Sequence, residues 1–163
     1  MSSPKGYSSV QIGLHWAIAA LIIFQLIFGE SMGDVWRAFE TTGDATLTTA
    51  AWAHILVGIA VLALLIWRIE LRLMRGVPDE PATSSAMMVK ASLIVHWVLY
   101  AVMFLAPITG LVAWYGGVAV VAEVHELLKP VLIVLIAGHF AAALWHQVWL
   151  KDNLMERMKR PAD

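Results

Sequence analysis

Four apolar runs, at 12–28, 51–67, 93–114 and 131–150, dominate this 163-residue chain. Each is close to the roughly 20 residues a helix needs to cross the hydrocarbon of a bilayer. In that medium every backbone N–H and C=O must be satisfied within the chain, so runs of this length fold as helices. Four of them predict an all-α integral membrane four-helix bundle. Composition excludes the soluble alternative: 60% of residues are hydrophobic and only 14% charged, with a mean hydropathy of +0.75, whereas soluble domains carry about a quarter charged residues. Residues 1–163 read as one transmembrane domain, with helices at about 9–30, 50–74, 90–115 and 122–152.

The first run has some of the character of a secretory h-region. Lys5 alone is a thin basic n-region, however, and His15, Trp16 and Gln25 interrupt the apolar stretch, so the run is expected to stay as a helix. Basic residues then set the orientation. With a cytoplasmic N-terminus, the inner side receives Lys5, Arg68, Arg72, Arg75, Lys90, Lys151, Arg157, Lys159 and Arg160, and the outer side only Arg37 and Lys129. Both termini are therefore expected in the cytoplasm. The segment 29–50 reads as an outer loop with Glu30, Asp34, Glu40 and Asp44, and "RGVPDEPATSS" as an inner turn. Trp16, Trp67, Trp145 and Trp149 suit an inner interfacial belt, and Trp36, Trp52 and Trp114 an outer one. A net charge of −1 gives no reason to expect nucleic acid as a partner.

The chain has no cysteine, which removes disulfides, iron–sulfur clusters and thioether-attached haem, and leaves histidine as the strong nitrogen ligand. It has no phosphate loop, nucleophile elbow or HExxH. No catalytic side chain is expected. Pro107 and Gly110 in "LAPITGL" read as a bend in the third helix.

All six histidines lie in or at the ends of the apolar runs: His15, His54, His96, and then His125, His139 and His146 at intervals of fourteen and seven. Fourteen residues advance an α-helix by about 21 Å and return to within roughly 40° of the same face. His125 and His139 therefore share a stripe at two depths, and His146 continues it toward the inner interface. His54 begins the second helix at the depth where His125 begins the fourth. His15 lies about 22 Å below the outer boundary, at the level of His139. His96, about 27 Å down, is not assigned by depth. Two histidine pairs at two depths suit two cofactors held by axial imidazoles from facing helices. Gly13, Gly58, Gly138 and the run Ala141 to Ala143 would make room for flat macrocycles, or simply pack helices closely. Arg68 and Arg72 are candidates to pair with haem propionates.

The stretches "GLHWAIAALII", "AHILVGIAVLALLIWRIELRL", "HWVLYAVMFLAPITGLV" and "VHELLKPVLIVLIAGHFAAALWHQVWLKDNLMERM" together resemble the bacterial cytochrome b561 family, related to the membrane cytochrome b subunits of formate dehydrogenases and nickel-iron hydrogenases. The resemblance implies two non-covalent, bis-histidine b haems, with axial ligands at His15 and His139 for the inner haem and His54 and His125 for the outer one. It also implies a bacterial inner-membrane electron carrier exchanging electrons with quinone and quinol. At the position of His96 the family also has a histidine, for which a quinone-side or proton-handling part is expected. The segment "WYGGVAVVAEVHE" is short, leaving little room for a partner site before the fourth helix.

The leading expectation is a free-standing dihaem cytochrome, alone or as a homodimer, that exchanges electrons with the quinone pool or with a soluble donor or acceptor protein. The alternative is the haem-bearing anchor of a larger dehydrogenase or hydrogenase. From another class comes a metal or proton transporter with a histidine relay, which would be expected to carry carboxylates mid-helix; none of the twelve Asp and Glu lies there.

Overall fold

A computed structural model describes residues 4–43 and 45–162; the acidic residue expected at Asp44 lies outside them. Its elements are α1 (Ser9–Phe28), α2 (Glu30–Thr42), α3 (Thr49–Arg75), α4 (Ala86–Gly116) and α5 (Ala119–Trp145), followed by a π-helical turn (His146–Leu150) and a 3₁₀ turn (Leu154–Met158). The four spans α1, α3, α4 and the continuous stretch Ala119–Leu150 are long and apolar enough to cross a membrane.

Helix starts follow local chemistry. Ser8 and Gln11 form a reciprocal capping box on α1, and the Thr48 and Ser85 hydroxyls accept the Ala51 and Met88 N–H groups at the starts of α3 and α4. Gly117, with φ of 63°, ends α4 in the left-handed region that glycine enters without steric cost. Only Gly117 and Val118 separate α4 from α5, so the segment read as an outer loop before the last helix is itself almost wholly helical.

The segment after α1 also departs from expectation. In place of an open loop it forms α2, which buries Val35 and Trp36. Trp36, Phe39 and Trp114 meet with ring centroids 5.7–6.4 Å apart. These tryptophans pack over the bundle end with Ala113 and Ala122 instead of joining a lipid-facing belt. Trp16, Trp52, Trp67, Trp145 and Trp149 are exposed, as a belt requires.

In the bundle, α1 packs on α3, α3 on α4 and, most extensively, α4 on α5, whereas α5 runs close to neither α1 nor α3 over any length. Ile18, Ile22, Val61, Leu65, Leu99, Tyr100, Val102 and Leu132 form a central layer. In lipid such a layer gains from close packing more than from leaving water.

The end that carries most of the basic residues is tied shut by polar contacts. Ala162 N–H donates to the Tyr7 carbonyl (3.1 Å), Trp16 Nε1 to Met158 O (2.7 Å) and Gln11 Nε2 to Gly76 O (3.2 Å). His146 Nδ1 donates to Asp152 Oδ2 at 2.6 Å, and the same carboxylate accepts Thr83 Oγ1 and the Leu154 N–H. Burial pushes the Asp152 carboxyl up, but these three hydrogen bonds outweigh it and hold the carboxyl below the usual range. A depressed carboxylate stabilises the fold fully above its ordinary pKa and loses that contribution as pH falls through the lowered value. Asp152→Ala should therefore cost about 1–3 kcal/mol, read as earlier thermal unfolding in detergent at neutral pH. The two proteins should converge in strong acid.

Candidate functional site

The histidines assemble at two levels. His54 from α3 and His125 from α5 face each other with ring centroids 6.1 Å apart and planes at 89°. His15 from α1 and His139 from α5 do so at 6.3 Å and 58°. Both pairs join α5 to helices whose backbones it otherwise avoids, and the central apolar layer, with Leu132 between the α5 histidines, separates the levels.

His96 also approaches His139, at 5.1 Å and edge-on. Its Nδ1 donates to the Ser92 carbonyl of its own helix at 2.7 Å. His146 stands apart, in the Asp152 cluster. The depth argument thus brings together the four residues it paired, and the structure adds His96 beside the inner pair.

The level farther from the chain termini opens on a cavity of about 430 Å³ lined by residues of every helix, including Gln25, Trp36, His54, Gly58, Gly110 and His125. That volume lies within the range of small-molecule sites. Arg37 and Lys129 line its mouth. Arg37 pairs with Asp34 at 2.5 Å, and Lys129 pairs with Glu30, tying α5 to the start of α2. That hydrogen bond and the Lys129 charge hold the Glu30 carboxyl below its ordinary range.

The His125 ring is oriented by a cradle on α4. Its Nδ1 donates to the Ala106 carbonyl at 2.8 Å, with Thr109 Oγ1 at 3.3 Å. A carbonyl partner requires the proton on Nδ1, which leaves the Nε2 lone pair free for a ligand. Gly110 supplies the space: a Cβ there would stand 3.0 Å from His125 Cε1. Helix α4 runs on through Pro107 and Gly110, and the space at Gly110 is taken by the histidine. At Gly29 a Cβ would come within 3.5 Å of His54 Nδ1. Gly13 and Gly138, singled out as wedge positions, have open space beside them, and Gly58 meets the Gln25 amide.

At the basic end the two arginines are partly committed. Arg68 Nη1 donates to the Gln11 carbonyl at 2.7 Å. Arg72 lies over the rings of Trp97 and Tyr100 at 5.7 and 5.9 Å. Both line a cleft of about 10 Å³ with Tyr7, whose phenol burial pushes up.

Comparison with known proteins agrees with this geometry. Residues 6–161 match the family described as prokaryotic cytochrome b561. A cytochrome b562 of Cereibacter sphaeroides is 40% identical across 99% of both chains. A probable superoxide oxidase, CybB, of Yersinia pestis is 30% identical over 94% of this chain and 96% of its own. The Escherichia coli cytochrome b561 homolog 1 is 27% identical over 93% and 96%. The chain belongs to the prokaryotic cytochrome b561 family and is a multi-pass bacterial membrane protein of electron transfer.

Such a family implies haem b, and the residues present fit it. His15 with His139 and His54 with His125 face one another across the bundle and would hold such a group between imidazole nitrogens, where it would supply one-electron oxidation and reduction. His96 approaches His139 more closely, at 5.1 Å. Among the described residues no group of three or more His, Asp or Glu forms a conventional metal cage. Gly110→Ala should push the His125 ring aside and weaken haem retention about tenfold, measured as haem b per purified chain.

Proposed function

We propose that the chain is a dihaem b-type cytochrome that carries single electrons across the bacterial inner membrane and exchanges them with quinone and quinol. The observation that supports it most is the pair of histidine couples, at 6.1 and 6.3 Å, on one helix stripe at two levels. In this reading His54 and His125 hold the outer haem, and His15 and His139 the inner one. Bound haem supplies one-electron oxidation and reduction at iron.

The chain's own residues set where that happens. The Ala106 carbonyl holds the His125 tautomer. Trp36, Phe39 and Trp114 roof the outer level against water. The apolar layer around Leu65 keeps the two levels apart and dry. In this reading Arg68 and Arg72, which share a cleft at the basic end, would receive propionates of the inner haem. His96, one ring away from His139, is suited to accept or release a proton near a quinone at that level. The nine-to-two distribution of Lys and Arg favours cytoplasmic termini.

A second reading takes superoxide as the electron source. It draws on the Yersinia relative's name and on Arg37 and Lys129 at the cavity mouth. The two readings part on whether quinol or superoxide reduces the purified protein faster.

Ligand variants test the assignment. Wild-type protein should release two haems per chain into acid acetone, both low-spin. His15→Ala or His139→Ala should lose one haem, and His54→Ala or His125→Ala the other. His96→Ala and His146→Ala should keep both. Should His96→Ala empty the inner level while His15→Ala retains it, the inner haem is bridged from α4 and the pairing is wrong.

A further inference from the structure

The outer level holds an unmatched donor and an unmatched acceptor on two residues that already touch. Gln25, near the end of α1, donates its Nε2 to the His54 carbonyl on α3 at 2.8 Å. That bond fixes the amide orientation, because the flipped amide would set oxygen against oxygen. It leaves Gln25 Oε1 buried with no partner, and His54 Nδ1 is likewise buried with no partner. Both residues line the outer cavity. A buried polar group without a partner keeps the full penalty of leaving water, and native proteins rarely leave two on residues in contact.

The surroundings bring the two side chains to one place. The His54 ring lies against Gly29, the residue that caps α1 one turn beyond Gln25. Gly58, one turn after His54 on α3, makes the space for the amide: a Cβ there would stand 3.3 Å from Gln25 Nε2. The opposing ring, His125, already has its Nδ1 proton held by the Ala106 carbonyl. His54 has no backbone carbonyl in that role.

We propose that Gln25 is the positioning residue of His54: its Oε1 accepts the His54 Nδ1–H through a bridging water, and so sets the ring's tautomer and electron-donating strength toward the outer haem. This rests on the dihaem reading above. A histidine that donates its second N–H to an acceptor is a more basic ligand, and a more basic ligand favours oxidised over reduced iron. Gln25 thereby lowers the potential of the outer haem alone. The position of Gly58 one turn after His54 acquires a reason: the glycine is room for the glutamine that serves the histidine.

Potentiometric titration of the purified holoprotein tests this, with the two haems resolved by absorption. Gln25→Met keeps length and packing but removes the acceptor. It should reduce the preference of the outer site for oxidised iron by roughly tenfold, a rise of about 59 mV for a one-electron couple. Gln25→Glu, which as the carboxylic acid still donates to the His54 carbonyl and keeps an acceptor oxygen, should leave the outer potential near the wild-type value. Gly58→Ala, which crowds the amide without touching the histidine, should follow Gln25→Met. A residue that merely fills space would move Met and Glu variants in the same direction, and that result overturns the proposal, as does an unchanged outer potential in Gln25→Met. His54→Ala separates the two levels of inference. If that variant keeps both haems, the ligand assignment itself fails and carries the proposal with it. If it loses one haem while Gln25→Met shifts neither potential, only the role of Gln25 is wrong.

Discussion

Polar groups inside hydrocarbon need partners, and the arrangement of this bundle follows from where its imidazoles find them. Backbone polarity is absorbed by helix formation, which any apolar run of this length achieves. Side-chain polarity is harder, since five histidines lie in the membrane-spanning helices and a sixth in the turn that ends the last one. His96 is satisfied by its own helix through Ser92, His125 by the neighbouring helix through Ala106, and His146 by Asp152 beyond the helix end. The remaining nitrogens converge across the bundle in pairs. Helix α5 supplies one member of each pair and stands off from the helices that supply the other, so the imidazoles span gaps that aliphatic packing leaves open.

The two levels are built differently. The one under α2 is roofed by its aromatic cluster, braced by Lys129 and Glu30, and furnished with Gly29, Gly58 and Gly110 where rings or amides press closest. The one nearer the termini has a third histidine in contact, and arginines with a half-buried tyrosine nearby. The two levels give their imidazoles different neighbours, and burial and hydrogen bonding around a ligand are among a protein's levers on a haem potential.

Much of this was legible from the chain. The spans could be read because hydropathy over twenty residues is a local property. The histidine pairing could be read because helical rise converts sequence distance into depth, and depth is shared by facing helices. What could not be read depends on neighbours remote in sequence. Helix α2 is short and amphipathic, and its Trp36 becomes buried only because Trp114 and Ala122 are brought to it. Gly110 beside Pro107 carries the signature of a bend, and only the packing of α5 shows that a histidine ring fills its space. Gln25 registered as a polar interruption of an apolar run, whereas its meaning depends on a carbonyl twenty-nine positions away.

The near independence of α5 from α1 and α3 bears on biogenesis. The chain comprises two helical hairpins, α1 with α3 and α4 with α5, that share one principal seam between α3 and α4. Each hairpin completes its own main-chain bonding and can enter the bilayer as a unit before the halves dock, as expected when insertion precedes association. The groups that bridge the halves away from that seam are the histidine couples. In the dihaem reading, cofactor capture is then the clasp that closes the seam's open side, so translocation machinery need deliver only two stable hairpins and maturation finishes the assembly.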